Sequence, residues 1–311
     1  MTCFYPLTVW RDRHGPASSG KHPLVFKPSE GIRETKMQVP CGQCVGCRVD
    51  RVKQWTMRCM HEAKCHAVSC FVTLTYGNDV PVTDTVLPTL RKRDLQLFMK
   101  RLRKRANISG IRYFAAGEYG DNYDRPHYHL CIFGYDFPDK KYWTTRDGSA
   151  LYRSDLLEAI WPAGFSTVGE LTPQSAAYVA SYCQKKLTGR RSDIYLDRGP
   201  EFALMSRGQL GGIGKPFFDK YFNTIYQTDM VVERGGKMSK PPRYYDILYS
   251  RRYPAEMEVI KKQRIDKMQP KSRHQLDVEL RLWKRKNSER EHLKFLKRSL
   301  QNGKSHDHCD L

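Results

Sequence analysis

The sequence predicts an α+β fold built on one antiparallel sheet, and three observations point to it. Between residues 67 and 190, short β-branched and aromatic runs alternate with segments of helical periodicity. Two of those runs are separated by only a short polar turn, as in a hairpin. The order along the chain is strand, helix, strand, strand, helix, strand, helix. That is the βαββαβ order of the ferredoxin-like sheet with one helix added.

Taken in order, residues 1–40 read as an irregular arm rich in Pro, Gly and charge. CGQCVGCRVDRVKQWTMRCMHEAK (41–64) reads as a cysteine run leading into a helix. The helix starts near Cys47 and carries Val52, Trp55, Cys59, His61 and Glu62. SCFVTLTY (69–76) is the first core strand. After the turn-rich GNDVPVTDTVLP comes RDLQLFMKRLRKR. There Leu95, Phe98, Met99 and Leu102 fall on one helical face, with Asp94 as the expected cap and a basic outer surface. IRYFAAGEYG (111–120) and HYHLCIFGYDF, joined through DNYDRP, form the hairpin. Ser154 to Trp161 is a helix stopped by Pro162 and Gly164, and FSTVGEL is the fourth strand. Thr172 caps the last helix, with Pro173 in its first turn, and the helix runs to about Leu187.

This divides the chain into an N-terminal arm with cysteines and a helix (1–66) and the core (67–190). A Gly-, Pro- and Tyr-rich segment (191–250) and a basic, helical extension (251–311) follow. Residues 251–304 carry 17 Lys and Arg against 7 Asp and Glu. Their most helical stretch, RLWKRKNSEREHLKFLKRSL, suits either phosphates or solvent.

The whole chain has 54 Lys and Arg against 33 Asp and Glu, a net charge of +21. Such an excess points to a polyanionic partner, because each neutralised phosphate releases counterions. No run of 18 apolar residues is present, so no membrane partner is expected. The N-terminus also lacks the apolar centre of a secretory signal. The expected place is the cytoplasm, where the ten cysteines stay reduced rather than forming a disulfide framework.

The strongest chemical signal is RPHYHLCIFG. His127 and His129, two apart on a strand, point to one face while Tyr128 and Leu130 point to the other. Glu118, on the other arm of the hairpin, is placed to supply an oxygen. Two imidazoles and one carboxylate with open positions suit Mg²⁺ or Mn²⁺ in phosphoryl chemistry. The second signal is SAAYVASYCQKKLTG. Tyr178 and Tyr182 share a helix face, with Lys185 and Lys186 a turn further on. A tyrosine hydroxyl, with a free pKa near ~10, needs a polarised phosphate and nearby cations to act as a nucleophile. The third is Cys41, Cys44 and Cys47, a C-x-x-C-x-x-C run that suits Zn²⁺ in a reducing compartment. Cys3 is the first choice for a fourth ligand, and Cys59 and His61 are the alternatives.

FVTLTY, GEYG…RPHYH and YVASYCQKK, in this order, resemble the three motifs of the HUH endonuclease superfamily. They are most similar to replication initiators of gokushovirus-type microviruses. The cysteine run, the LMSRGQLGGIGKPFFDKY segment and the basic tail resemble that group too. The resemblance implies metal ligation by His127, His129 and Glu118, and nucleophilic roles for Tyr178 and Tyr182 with Lys185 beside them. It also implies a single-stranded DNA origin as substrate, a 5′-phosphotyrosine intermediate, and use of the host's polymerase and helicase. Two positions depart from the family pattern: Tyr128 stands where an aliphatic is usual, and Ser181 where a basic residue often precedes the second tyrosine. Rival readings are a zinc-containing nucleic-acid binder without catalysis, or an HUH transposase or relaxase.

Overall fold

The computed structural model describes residues 3–18, 22–77, 89–120, 125–146, 148–182, 198–208 and 210–268, together with 283, 285–287 and 290. The chain divides into two compact units, residues 1–51 with 270–299, and residues 52–269 with 300–311.

In the first unit the expected irregular arm is instead a small sheet. β1 (Leu7–Arg11) pairs antiparallel with β2 (Leu24–Val25) on one side and β3 (Met37–Val39) on the other. The strands are two to five residues long, too short to show a period, and the connection between them closes only because Gly31 lacks a side chain. A Cβ there would lie 2.2 Å from Cβ of Trp10. Helix α1 (Val45–Ala63) starts two residues before Cys47.

The second unit is organised by a seven-stranded sheet in the order β10-β5-β6-β4-β9-β8-β7. Its four middle members are the four strands read from sequence: β4 (Ser69–Thr75), β5 (Arg112–Tyr119), β6 (Pro126–Phe133) and β9 (Ser166–Glu170). Every pairing in the sheet is antiparallel. Two additions were not foreseen. The hairpin β7 (Lys141–Arg146) and β8 (Ser149–Arg153) extends the sheet beyond β9. From the Gly/Pro/Tyr-rich segment, β10 (Phe202–Met205) pairs with β5 at the other edge.

Helices cover both faces. On one, α2 (Lys92–Ala106) and α3 (Asp155–Ile160) pack over Val72, Leu74, Leu130, Ile132 and Val168. Leu95, Phe98, Met99 and Leu102 of α2 are fully buried there, each worth roughly 1.5–3 kcal/mol relative to exposure. Asp94 is not the cap of α2. It lies in the first turn, where its carboxylate accepts a hydrogen bond from Tyr76 at 2.5 Å, and Arg91 holds the cap position. Ser154 caps α3 through Leu157 N–H at 3.1 Å. On the opposite face, α4 (Pro173–Tyr182) and Trp55 and Cys59 of α1 cover Phe114, Ala116, Cys131 and Phe133. Thr172 caps α4 in a reciprocal pair with Ser175: each hydroxyl accepts the other's backbone N–H, at 3.1 and 2.8 Å.

A third cluster joins α5 (Lys215–Thr228), α6 (Arg243–Arg252) and α7 (Pro254–Met268) around Phe218, Tyr226, Tyr245 and Met257. The basic extension is thus helical as far as Met268, and most of its later part lies outside the described residues. Among the described residues no helix is long and apolar enough to cross a membrane.

Candidate metal and tyrosine site

Strand register builds the site. Glu118 of β5 is directly opposite His127 of β6, and Thr75 of β4 flanks His127 on the other side. One step along, Ala116, His129, Thr73 and Thr167 form a second row across four strands. The alternation of β6 therefore puts both histidines on the face covered by α4, as the spacing predicts. Tyr128 goes to the other face, where it is fully buried. Its hydroxyl accepts Arg91 N–H at 2.8 Å, donates to Arg91 O at 3.0 Å, and meets the Tyr76 hydroxyl at 2.8 Å. The residue between the histidines is thus aromatic because its polar tip fastens the start of α2 to the sheet.

Glu118 and His129 are buried, and His129 Nε2 donates to Glu118 Oε1 at 2.8 Å. On its other side, His129 Nδ1 is 3.1 Å from Thr73 Oγ1. His127 Nδ1 is 2.5 Å from the carbonyl oxygen of Arg125, which can only accept. Nδ1 of His127 therefore carries the proton, and its Nε2 presents a lone pair. Burial, with the neighbouring His129, pushes His127 down to about 4, so the ring is neutral at neutral pH. The two rings are nearly parallel with centroids 6.2 Å apart.

The tyrosines complete the site. Tyr178 meets His129 edge to face at 4.9 Å, Tyr182 stacks on the same ring at 5.4 Å, and the two tyrosines meet at 4.6 Å. Tyr178 is half-buried and Tyr182 buried. Burial, followed by Tyr178 and Glu118, holds the Tyr182 hydroxyl well above its ordinary range; both neighbours are hydrogen-bonded to it. Ser181 turns its hydroxyl onto the carbonyl of Tyr178 at 2.7 Å. Lys185 and Lys186 lie outside the described residues.

The donor set of two imidazoles and a carboxylate fits a hard divalent cation. The side chains behind it are arranged accordingly, because each histidine has its Nδ1 engaged by an oxygen, leaving Nε2 for a metal. At His129 a cation would replace the proton now shared with Glu118. Thr73, whose hydroxyl both donates and accepts, suits either ring tautomer. His127, His129 and Glu118 do not, however, bring their donor atoms within 4.8 Å of one another, whereas the cysteines do. Thr73 was not foreseen, since a threonine in a strand reads only as a good β-former.

The cysteine cluster lies wholly in the first unit. Sγ atoms of Cys3, Cys41, Cys44 and Cys47 are all within 4.8 Å of one another and could hold a metal ion such as zinc. Cys3 is thus the fourth member. Of the two alternatives, Cys59 is in the core of the second unit, and His61 bonds the Tyr245 hydroxyl at 2.9 Å and stacks on Phe217. Backbone N–H groups of Cys41, Cys44 and Phe4 donate to sulfurs of Cys3, Cys41 and Cys44 at 3.2–3.4 Å. Although burial raises the Cys44 thiol, the N–H groups of Phe4 and Cys47 hold it below its usual range.

The glycine-rich stretch before α5 could suggest a phosphate cradle, but a carboxylate already occupies that helix start. Glu62, fully buried, accepts from Gly214 N–H and Arg112 Nε, each at 2.5 Å. Arg112 also donates to Gly211 O at 3.0 Å. The segment is anchored to the sheet rather than open to an anion.

Residues 69–187 match a family of viral replication-associated proteins typified by ORF2. The replication-associated protein ORF2 of Spiroplasma virus 4 is 34% identical over 282 residues, covering 85% of this chain and 86% of that protein. VP4, the replication-associated protein of Bdellovibrio phage phiMH2K, is 32% identical over 223 residues, covering 69% of this chain and 68% of its own. A third relative, from Chlamydia phage 1, is 26% identical over 226 residues, covering 70% of this chain and 55% of that protein. The chain therefore belongs to this family of replication-associated proteins of gokushovirus-type microviruses. No solved structure matches it.

Proposed function

We propose that this protein is a nickase and strand transferase for single-stranded DNA that starts rolling-circle replication of a phage genome in the host cytoplasm. The observation that carries the reading is the packing of two tyrosines, one helical turn apart, against a histidine hydrogen-bonded to a buried glutamate. The middle strand order β5-β6-β4-β9, with α2 and α3 on one face, supports a ferredoxin-like HUH core.

In this reading His127, His129 and Glu118 hold Mg²⁺ or Mn²⁺. The bound cation polarises the non-bridging oxygens of the scissile phosphate. A tyrosine hydroxyl attacks the phosphorus, its O–P bond forms, and the bond to the 3′ oxygen breaks. The 3′ oxygen leaves as a hydroxyl, and the 5′ phosphate stays on the tyrosine. Glu118 is the carboxylate in hydrogen-bonding contact with Tyr182 and so the nearest acceptor for its proton. The phosphotyrosine conserves the energy of the broken ester, so resealing needs no nucleotide. The free 3′ hydroxyl is a primer for the host polymerase, behind a host helicase. After one round the second tyrosine cleaves the regenerated origin, and the new 3′ hydroxyl displaces the first. Lys185 is assigned to charge neutralisation beside the tyrosines. One Zn²⁺ on Cys3, Cys41, Cys44 and Cys47 has a structural role, since four thiolates leave no open position.

The test is incubation of the protein with circular single-stranded viral DNA and Mn²⁺. A linear product carrying covalently bound protein on denaturing gels is expected. Intact circles at every metal concentration would contradict the proposal.

A further inference from the structure

We infer that the exposed rings of Trp143 and Phe165 form a stacking platform for a DNA base flanking the scissile phosphate. This rests on the nickase reading of the neighbouring site, and it adds a binding surface that the HUH motifs do not include.

The placement follows from register. Val168 of β9 faces the α2/α3 core, so alternation puts Phe165 and Thr167 on the opposite face, that of His127 and His129. Phe165 O accepts the N–H of Thr75 at 2.8 Å, and Thr75 is the register partner of His127. Phe165 therefore lies two strand spacings from His127, about 10 Å.

Trp143 reaches the same place by a different device. The pairing of β7 with β8 shifts register between Tyr142 and Thr144, so Trp143 is the extra, unpaired residue of a bulge. Bulges near sites re-aim a side chain, and here the indole meets Phe165 at 5.2 Å with planes at 61°. The Arg153 guanidinium lies over the Phe165 ring at 4.3 Å and is itself held by Glu158. Phe165 is thereby fixed between a cation and an indole, yet it stays 37% exposed and Trp143 43% exposed.

Two large rings kept in solvent beside a phosphate-cleaving site have a clear ligand chemistry. Every base offers a π-face, so aromatic stacking holds a single strand without regard to sequence. The chain's net charge of +21 brings the strand to the surface. A protein partner would need a broader apolar patch, and the strand bearing Trp143, KYWTTR, is otherwise polar.

The test uses fluorescein-labelled oligothymidylate and the Tyr178→Phe/Tyr182→Phe protein without divalent metal, so that binding is read apart from cleavage. Trp143→Ala and Phe165→Ala should each weaken binding about tenfold, the scale of one lost stacked base. Trp143→Phe should keep most of the affinity. Melting temperatures of the variants should match the parent, because both rings lie at the surface. With bromodeoxyuridine in the oligonucleotide, ultraviolet crosslinks should map to Trp143 or Phe165. Unchanged affinity in both alanine variants would overturn the inference, as would crosslinks confined to other residues. It would also fall if Trp143→Ala altered the oligomeric state while DNA affinity held. If the platform residues matter for binding but the wild-type protein never nicks, the nickase reading fails and the binding surface stands. If it nicks normally and Trp143 is inert, only the platform falls.

Discussion

Two places in this molecule gather metal-binding side chains, and they differ in every property that separates a structural centre from a reactive one. The cysteine cluster uses four identical soft donors drawn close together and braced by backbone N–H groups. Nothing in that donor set leaves a position for substrate. The histidine site mixes nitrogen and oxygen donors on two adjacent strands, and its donors stand further apart. Its remaining side is occupied by two hydroxyls that could become nucleophiles. Closure serves folding, and an incomplete shell beside tyrosines serves chemistry.

This contrast predicts opposite consequences of mutation. The largest effect on chemistry is expected from His129→Ala, which removes the ring that both tyrosines and Glu118 touch. Nicking of single-stranded DNA should fall at least about a hundredfold, the scale of losing one electrostatic stabiliser. DNA affinity by filter binding should stay within about threefold, because phosphate contacts elsewhere supply most of it. A large loss of affinity with little loss of nicking would erase the distinction between the two centres.

Cys44→Ser should do the reverse. Structural zinc contributes about 10–16 kcal/mol in zinc-finger peptides, so loss of one thiolate should loosen the first unit. Metal analysis should fall from near one zinc per chain toward none, and protease cutting should appear between residues 3 and 47. Nicking should drop less than about tenfold, since this centre touches no reacting group. A protein without zinc or iron in the wild type would remove the structural half of the comparison.

A smaller effect sharpens the reactive half. Thr73→Val keeps the β-branched shape but loses the hydroxyl beside His129 Nδ1. Outer partners of metal-bound histidines are worth about 10–100-fold in metal affinity. Free Mn²⁺ followed by electron paramagnetic resonance should show weakening on that scale, and Thr73→Ser should restore it. DNA affinity without metal should not change.

Much of the reactive site could be read in the sequence because its logic is local. His127 and His129 share a face by the period of a strand, Tyr178 and Tyr182 by the period of a helix. Only the pairing of Glu118 with His127 required the hairpin, and a short polar turn announced it. The features that were missed depend on partners far along the chain. β1 to β3 are too short for periodicity, and their pairing is set across residues 7 to 39. β7 is exposed on an edge, so KYWTTR has no apolar alternation to betray it. β10 lies inside a Gly- and Pro-rich stretch and is a strand because β5 offers it an open edge. Thr73 acquires its role from register across the sheet, which no local pattern contains.

The central claim is that the tyrosines are the nucleophiles, and one measurement tests it most directly. Covalent protein–DNA adducts formed with Mn²⁺ are digested, and the modified peptide is sequenced by mass spectrometry. The account predicts DNA on Tyr178, on Tyr182 or on both, partial nicking in each single Tyr→Phe variant, and none in the double variant. An adduct on a third residue, or full activity in Tyr178→Phe/Tyr182→Phe, would contradict it.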